Sequence, residues 1–227
     1  MDIKKENEKL IKFWNLQFEK VEPFKITHSD IDINQDFNRL LKYIGDNSTR
    51  VIDLGCGWGY GLLTAKLLGT TLEEGIGIDP SAHAIHVFNT SCEMSEIKGL
   101  KGIVGTHELL NQFNDSHIDG LICSNVLDVV PYETSIEIIE QIIRVLKPKG
   151  LCLLKFNFYL TDEIIARIKM ENVATNTYTI NGIIRGLNYT TDEWIKRFPQ
   201  FEVIEIAEYE RIPQGPKDRL VLLKKHS

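Results

Sequence analysis

The chain has 227 residues, of which 43% are hydrophobic and 26% charged, as in an ordinary globular domain with a sizeable core. Its formal net charge of −6 argues against nucleic-acid binding, because an acidic surface without a local basic patch repels phosphate backbones. No apolar run approaches the roughly 20 residues that span a bilayer. We therefore expect no membrane partner. The four cysteines are scattered without a CxxC pair, so we expect no metal site and a reducing, cytoplasmic setting.

The segment before Arg50 is predicted to be helical. Leu10, Trp14, Phe18 and Val21 recur at helical spacing, which places them on one face. Because such an apolar stripe normally packs against its own domain, we expect Trp14 and Phe18 to be core residues and not part of a lid.

Five apolar segments then predict strands, and helical segments separate them. The strands are RVIDLG, EGIGIDP, LKGIVG, HIDGLICSNVL and LCLLKFNF. The first intervening helix is expected to end at Gly69, and Ser81 is expected to cap the second. Strands that alternate with helices favour βαβ units, right-handed connections and a parallel sheet.

The helix before the fifth strand carries two local signals. Thr134 and Glu137 have the spacing of a capping box. The predicted buried stripe consists of Ile136, Ile139, Ile143 and Leu146.

The last third changes character. TYTINGIIRG contains Asn-Gly between two short β-like runs, which predicts a type I′ hairpin. Thr190 and Glu193 predict a capped helix, and FEVIEIAEY and DRLVLLKK predict an antiparallel pair. No linker divides the chain, so we expect one domain. Its parts are a helical cap (1–48), a cofactor-binding core (49–160), a hairpin or lid insertion (171–190) and a closing helix with antiparallel strands (191–227).

The glycine-rich stretch VIDLGCGWGYG follows the first strand and predicts a ligand loop. No lysine follows at the P-loop spacing, which excludes the ATP-type loop. The dinucleotide pattern GxGxxG is disfavoured on spacing but not excluded, because Tyr60 stands where the third glycine is required. Asp79 ends the second strand at about the offset of a ribose-binding acid. An adenosine joined to a chain without phosphate fits this combination.

Four motifs in order resemble one family. VIDLGCGWG, GIGIDPS, HIDGLICSNVLDVVP and IIRVLKPKGLCLL are similar to motifs of the class I S-adenosylmethionine-dependent methyltransferases. The resemblance covers roughly residues 50–158 and is to the ubiquinone/menaquinone-type, type 11-like small-molecule branch. It implies a three-layer Rossmann-like α/β sandwich. Its sheet is seven-stranded and mostly parallel with an antiparallel last strand, and helices cover both faces.

The resemblance also implies roles for single residues toward S-adenosylmethionine and its product S-adenosylhomocysteine. Asp53 and the loop glycines would meet the methionyl part, Asp79 the ribose, and Asn125 the methionyl end. Thr106 stands where many relatives have an acid for the adenine amine, so its hydroxyl, His107 or a backbone carbonyl would substitute. The implied cofactor-binding set is Asp53, Gly55, Cys56, Gly57, Trp58, Asp79, Pro80, Thr106, His107 and Asn125.

Methyl transfer is an in-line displacement that depends on alignment and water exclusion, and it needs a base only when the acceptor is protonated. The candidates for that base are His107, Asp128, Tyr189 and His28. SNVLDV replaces the Pro-Pro motif of nucleic-acid amino methylases, so we expect a small-molecule acceptor, no nucleic acid, and a monomer or homodimer. The alternatives are a non-catalytic S-adenosylmethionine-binding protein or partner subunit, and an NAD(P)-dependent oxidoreductase.

Overall fold

A computed structural model describes residues 2–211 and 213–227. Within them, seven α-helices and ten strands follow one another along the chain. The helices are α1 (Ile3–Phe18), α2 (Asp36–Asn47), α3 (Tyr60–Leu68), α4 (Ala82–Met94), α5 (Tyr132–Val145), α6 (Asp162–Ile168) and α7 (Thr191–Ile195). The strands are β1 (Arg50–Leu54), β2 (Glu74–Asp79), β3 (Leu100–Val104), β4 (Ile118–Ser124), β5 (Leu146–Phe156), β6 (Glu171–Ala174), β7 (Thr177–Ile180), β8 (Ile183–Leu187), β9 (Phe201–Tyr209) and β10 (Asp218–Lys225).

The main sheet has seven strands in the order β3-β2-β1-β4-β5-β10-β9. Neighbouring strands from β3 to β5 are parallel, and β10 is antiparallel to both β5 and β9. The predicted fold class is confirmed. The strand order reverses between β1 and β4, and their carboxyl ends form the crevice where open α/β sheets bind ligands.

Helices cover both faces of this sheet, and the apolar side chains between sheet and helices form two buried clusters, one on each face. One face packs on α2, α3 and α4, and the other packs on α5 and α7. Val51 and Ile52 illustrate the alternation, because each contributes to a different cluster. Among the described residues, no helix has the length and apolar character needed to cross a membrane.

A second, antiparallel sheet of order β6-β7-β8 follows α6. Asn181 and Gly182 join β7 to β8 with φ of 52° and 72°, as a type I′ turn requires, so the predicted hairpin is confirmed. Neither α6 nor β6 is predicted from the sequence. All four residues of β6 are exposed, so no apolar alternation marks that strand.

The predicted capping box of α5 is wrong. The helix begins at Tyr132, and its N-cap residue is Pro131, which has no backbone N–H to contribute to the hydrogen bonds of a helix. Thr134 is therefore inside the first turn, and its hydroxyl oxygen accepts a hydrogen bond from Asn7 at 3.0 Å.

The buried stripe of α5 is also displaced from the predicted one. Ile136 and Ile143 are only partly buried, because the helix contacts the sheet along an adjacent line of its surface. Leu146 is buried as the first residue of β5, which begins earlier than predicted. The large apolar residues that α5 buries are Ile138, Ile139, Ile142 and Val145.

Candidate active site

The glycine loop joins β1 to α3 at the carboxyl edge of the sheet. Gly55 and Gly57 have φ of 71° and 54°, the left-handed region that favours glycine. The backbone N–H groups of Gly55 and Cys56 donate to the Ile78 carbonyl at 2.8 and 3.1 Å. A Cβ at Gly55 would lie 2.3 Å from Cγ2 of Val126. The loop is thus held between the ends of β2 and β4.

The side chains between the glycines pack on neighbouring residues of the domain. Cys56 is buried, and a Cβ at Gly77 of β2 would lie 2.7 Å from its Sγ. Burial raises the pKa of the Cys56 thiol. Trp58 packs edge to face on Phe24 and Tyr60, with ring centroids 5.2 and 5.4 Å apart. Cys56 can therefore offer a ligand only its backbone groups.

Asp79 ends β2 and is fixed by two backbone donors. Gly57 N–H donates to its Oδ2 and Ser81 N–H to its Oδ1, each at 2.9 Å. The residue is only 5% exposed, and burial raises the pKa of its carboxyl while these hydrogen bonds oppose the rise. Gly105 N–H donates to the Asp79 carbonyl at 3.0 Å, which brings the loop after β3 to the same edge.

Asp53 lies in β1 beneath the loop and is 2% exposed. A Cβ at Gly61 would lie 2.6 Å from its Oδ2, and its Oδ1 has no hydrogen-bond partner among the described residues. Burial raises the pKa of Asp53 to about 8, repulsion from Asp79 adds to the rise, and the Leu62 N–H opposes it. An orphaned buried carboxylate oxygen is suited to an ammonium group, which would lower that pKa again.

The loop after β3 uses its side chains locally. Thr106 caps the 3₁₀ helix His107–Gln112, with its Oγ1 accepting from the Glu108 N–H at 3.4 Å. His107 Nε2 lies 3.3 Å from Glu137 Oε2 on α5. The ring of His107 is therefore directed at α5. Pro80, also predicted to contact the cofactor, follows Asp79 directly and is partly buried.

Asn125 follows β4 and is held by a buried cation. Its Oδ1 accepts from Lys155 Nζ at 2.8 Å, and its Nδ2 is buried without a partner among the described residues. Lys155 Nζ also lies 3.1 Å from Asp218 Oδ2, between the rings of Phe37 and Tyr209. Burial lowers the pKa of Lys155, and the charge of Asp218 opposes this shift.

The helix α1 lies over the glycine loop. A Cβ at Gly57 would be 3.1 Å from Cζ of Phe18, and Trp14 stacks on Phe18 at 5.9 Å. Both rings are only partly buried, so the expectation that they are core residues is wrong: α1 contacts α4 and β8, not a face of the main sheet. The helix ends at Phe18, which leaves Val21 outside it.

Two of the four candidate bases lie away from the loop. His28 is exposed on the 3₁₀ helix His28–Asp30. The ring of Tyr189 packs on Tyr132 and Trp194, at 5.8 and 5.5 Å, on the side of the sheet that α5 and α7 cover. Neither side chain is brought to the glycine loop.

Asp128 lines a cavity of about 110 Å³ between the small sheet and the ends of β4, β5 and β10. Asn157 donates to its Oδ2 from the backbone at 2.7 Å and from the side chain at 3.0 Å, while Oδ1 has no partner among the described residues. The Asp128 carbonyl accepts from the Leu187 N–H of β8 at 2.7 Å. Burial raises the pKa of Asp128, and the Asn157 hydrogen bonds and the charge of Arg219 oppose the rise.

Sequence reasoning missed four charged residues at this edge. The four residues are Lys155, Arg185, Asp218 and Arg219. Lys155 and Arg185 each interrupt an apolar or β-like segment, and a buried charge in such a segment needs a partner or a ligand, so the interruption was the available signal for these two. Asp218 and Arg219 stand at the start of the apolar run of β10, where charged residues are common, and gave no comparable signal.

A comparison of the sequence with protein families agrees with the site described above, namely the glycine loop, the acid at the end of β2 and the strand order of the sheet. Residues 45–208 match the family model described as a methyltransferase domain. The chain belongs to the methyltransferase family. It is a class I S-adenosylmethionine-dependent methyltransferase, and this assignment removes the oxidoreductase alternative.

Solved structures share the fold of this methyltransferase. A Burkholderia thailandensis 1,6-didemethyltoxoflavin N1-methyltransferase, bound to 1,6-didemethyltoxoflavin and S-adenosylhomocysteine, matches with a TM-score of 0.70 at 10% identity, covering 100% of this chain and 92% of that one. A Methanosarcina mazei S-adenosylmethionine-dependent methyltransferase matches with a TM-score of 0.63 at 21% identity, and the match covers 80% of this chain and 93% of that one. A Pyrococcus horikoshii protein matches with a TM-score of 0.65 at 20% identity, and the match covers 85% of this chain and 89% of that one. The comparison with curated proteins found no match.

Proposed function

We propose that this methyltransferase methylates a small molecule held beneath α1 and the small sheet. The observation that carries the proposal is the cavity beside Asp128, whose walls come from the strand ends and from β7 and β8. A cavity of about 110 Å³ has room for a small acceptor. Its position at the carboxyl edge is where ligands bind in open α/β sheets.

The residues around the glycine loop fit S-adenosylmethionine. Asp53 offers the unpartnered Oδ1 to the methionyl amine, and Asp79 offers its carboxylate to the ribose hydroxyls. The backbone of Gly55 and Gly57 lies along the methionyl part, and the free Nδ2 of Asn125 positions its end. Bound there, the cofactor supplies an activated methyl group.

The chain itself contributes alignment, water exclusion and a proton acceptor. The rings of Trp14 and Phe18 cover the loop and keep water out. Of the four candidate bases, Asp128 lines the cavity, and its Oδ1 has no hydrogen-bond partner among the described residues. Asp128 Oδ1 would accept the proton of an acceptor that is protonated in its ground state, while the bound cofactor would supply the methyl group and leave as S-adenosylhomocysteine, which keeps the electrons of the broken sulfur–methyl bond.

A radiolabel transfer assay tests the proposal. The purified protein is incubated with S-adenosylmethionine labelled on the methyl group and, separately, with the small-molecule, RNA and protein fractions of one cell extract. We expect label in the small-molecule fraction alone. Label in RNA or protein would overturn the acceptor class, and cofactor binding without transfer to any fraction would favour the non-catalytic alternative.

A further inference from the structure

The cavity beside Asp128 carries an excess of positive charge. Three arginines line it, each from a different segment: Arg185 from β8, Arg211 after β9 and Arg219 from β10. Among the described residues that line it, Asp128 is the one carboxylate. The rest of the wall includes apolar side chains such as Met170 of the small-sheet region.

Two of the three arginines are already engaged. Arg219 donates from Nε to the Asn157 carbonyl at 2.9 Å and from Nη1 to the Tyr189 carbonyl at 2.8 Å. Arg211 Nη2 lies 3.8 Å from Oδ1 of Asp218. The two hydrogen bonds hold the Arg219 guanidinium to the wall of the cavity, whereas the half-exposed Arg211 makes a charge contact with Asp218 beyond hydrogen-bond distance.

Arg185 differs in its hydrogen bonding. Its Nη1 is buried and has no hydrogen-bond partner among the described residues. The guanidinium lies over the rings of Phe13 and Trp14, 4.9 and 5.2 Å from their centroids. Aromatic faces orient a guanidinium but leave its N–H donors unused. A buried donor without an acceptor is costly, and a ligand with an acceptor removes that cost.

The same helix links this arginine to the cofactor loop. Trp14 contacts Arg185 and also stacks on Phe18, which lies against Gly57. Residues 14 and 18 are about 6 Å apart along a helix axis. Arg185 and the loop proposed to hold the methyl donor are therefore linked through two neighbouring aromatic side chains of α1.

We propose that the methyl acceptor is a small carboxylate whose charged group is bound by Arg185 beneath α1. This inference rests on the proposed function of the same site. The planar guanidinium fork matches a carboxylate with two parallel N–H donors. Apolar wall residues, among them Ile168, Met170 and Ile180, contact the uncharged part of the acceptor.

Binding is tested first, without any methyl transfer. The protein is saturated with S-adenosylhomocysteine and titrated with acetate, butyrate or benzoate, or with the matching neutral amides, at constant ionic strength. We expect the carboxylates to raise the midpoint of thermal unfolding and the amides to leave it unchanged. Arg185→Gln removes the response, whereas Arg167→Gln, on the exposed face of α6, keeps it. The inference would be overturned by any of three results: the acids and amides shift the midpoint equally, neither shifts it, or the acids shift it fully in Arg185→Gln.

Activity is tested second, on metabolites separated by anion exchange. We expect label in the anionic pool, and Arg185→Gln raises KM for that pool by roughly 10- to 100-fold with little change in kcat or cofactor affinity. Arg185→Lys restores part of the loss. Label confined to the neutral and cationic pools would overturn the carboxylate assignment and leave methyl transfer standing. Carboxylate binding without label in any pool would instead count against the proposed function.

Discussion

Asp53 and Asp79 lie beneath the same loop but differ in their hydrogen bonds. Both oxygens of Asp79 accept backbone N–H groups, whereas Asp53 keeps one oxygen without a partner among the described residues. We therefore expect the two acids to differ in ionisation. Asp79 stays ionised more readily than Asp53, whose pKa is raised to about 8.

Cofactor binding is expected to release a proton from Asp53. At pH 7 an acid with a pKa of about 8 is mainly protonated, and a bound ammonium lowers that pKa, so binding drives the proton off. Calorimetry with S-adenosylhomocysteine in buffers of different ionisation enthalpy should show release of about one proton. Asp53→Asn should abolish the release and weaken binding roughly tenfold. The exposed Asp115→Asn is the control, and wild-type binding without proton release would contradict the role of Asp53.

Replacing Asp128 should affect the chemical step. Asp128→Asn keeps an oxygen for Asn157 but cannot accept a proton, so we expect kcat to fall roughly 10²- to 10⁴-fold with cofactor affinity unchanged. The wild-type rate should rise with pH through the raised pKa of Asp128, because only the ionised form accepts a proton. His28→Gln, on an exposed segment, is the comparison. A kcat that is the same in the Asn variant would rule Asp128 out as the base.

At the scale of elements, α1 and the small sheet cover the carboxyl edge. The start of α1 is tied to α5 by the hydrogen bond between Asn7 and Thr134. Beyond its end, the Val21 carbonyl lies 2.9 Å from His83 Nε2 of α4. The helix thus crosses the site from α5 to α4, and few of its own residues are buried. Elements with few buried contacts are the ones that open most readily.

Shortening Phe18 should speed ligand binding. The ring lies against Gly57, so a ligand reaches the loop only when α1 shifts. Phe18→Ala should raise the association rate of S-adenosylhomocysteine roughly tenfold, a change of about 1.4 kcal/mol in the barrier. Stopped-flow tryptophan fluorescence measures the rate. Leu16→Ala, which is 65% exposed on the same helix, should leave it unchanged, and equal rates in both variants would argue against α1 as a gate.

At the scale of the whole molecule, three buried carboxylates have a raised pKa: Asp53, Asp79 and Asp128. A group whose pKa is higher in the folded state binds more protons there than in the unfolded chain. Its stabilising contribution is complete below the unfolded pKa of about 3.9 and is lost as pH rises through the folded value. For Asp53 that loss extends to about pH 8.

The ligand-free protein should therefore become less stable from pH 5 to pH 8. We expect the free energy of unfolding, measured with urea, to decrease by on the order of a few kcal/mol over this interval. Asp53→Asn should flatten the slope because the substituted side chain does not titrate. A free energy of unfolding that is constant or rises over the same interval would show that these acids are not desolvated as the structure indicates.

The strands, the glycine loop and the acid at its edge could be predicted because each depends on neighbours in sequence. Apolar runs, turn glycines and the offset of Asp79 are local signals, as is the Asn-Gly hairpin. The capping box at Thr134 failed because a competing local signal, Pro131, begins the helix earlier. Local patterns thus determined the fold class and the family resemblance, and they were least accurate at helix boundaries.

Only the tertiary structure decided which charges are left without partners. Arg185 comes from the hairpin, Trp14 from the first helix and Asp128 from the loop after β4, and no spacing in the sequence relates them. Burial of Asp53 beneath its own loop likewise depends on α3 packing over β1. Whether a charge is satisfied depends on atoms distant in sequence. The sequence alone therefore determined a methyltransferase fold with its cofactor loop, and the packing of distant segments produced the arginine-lined cavity.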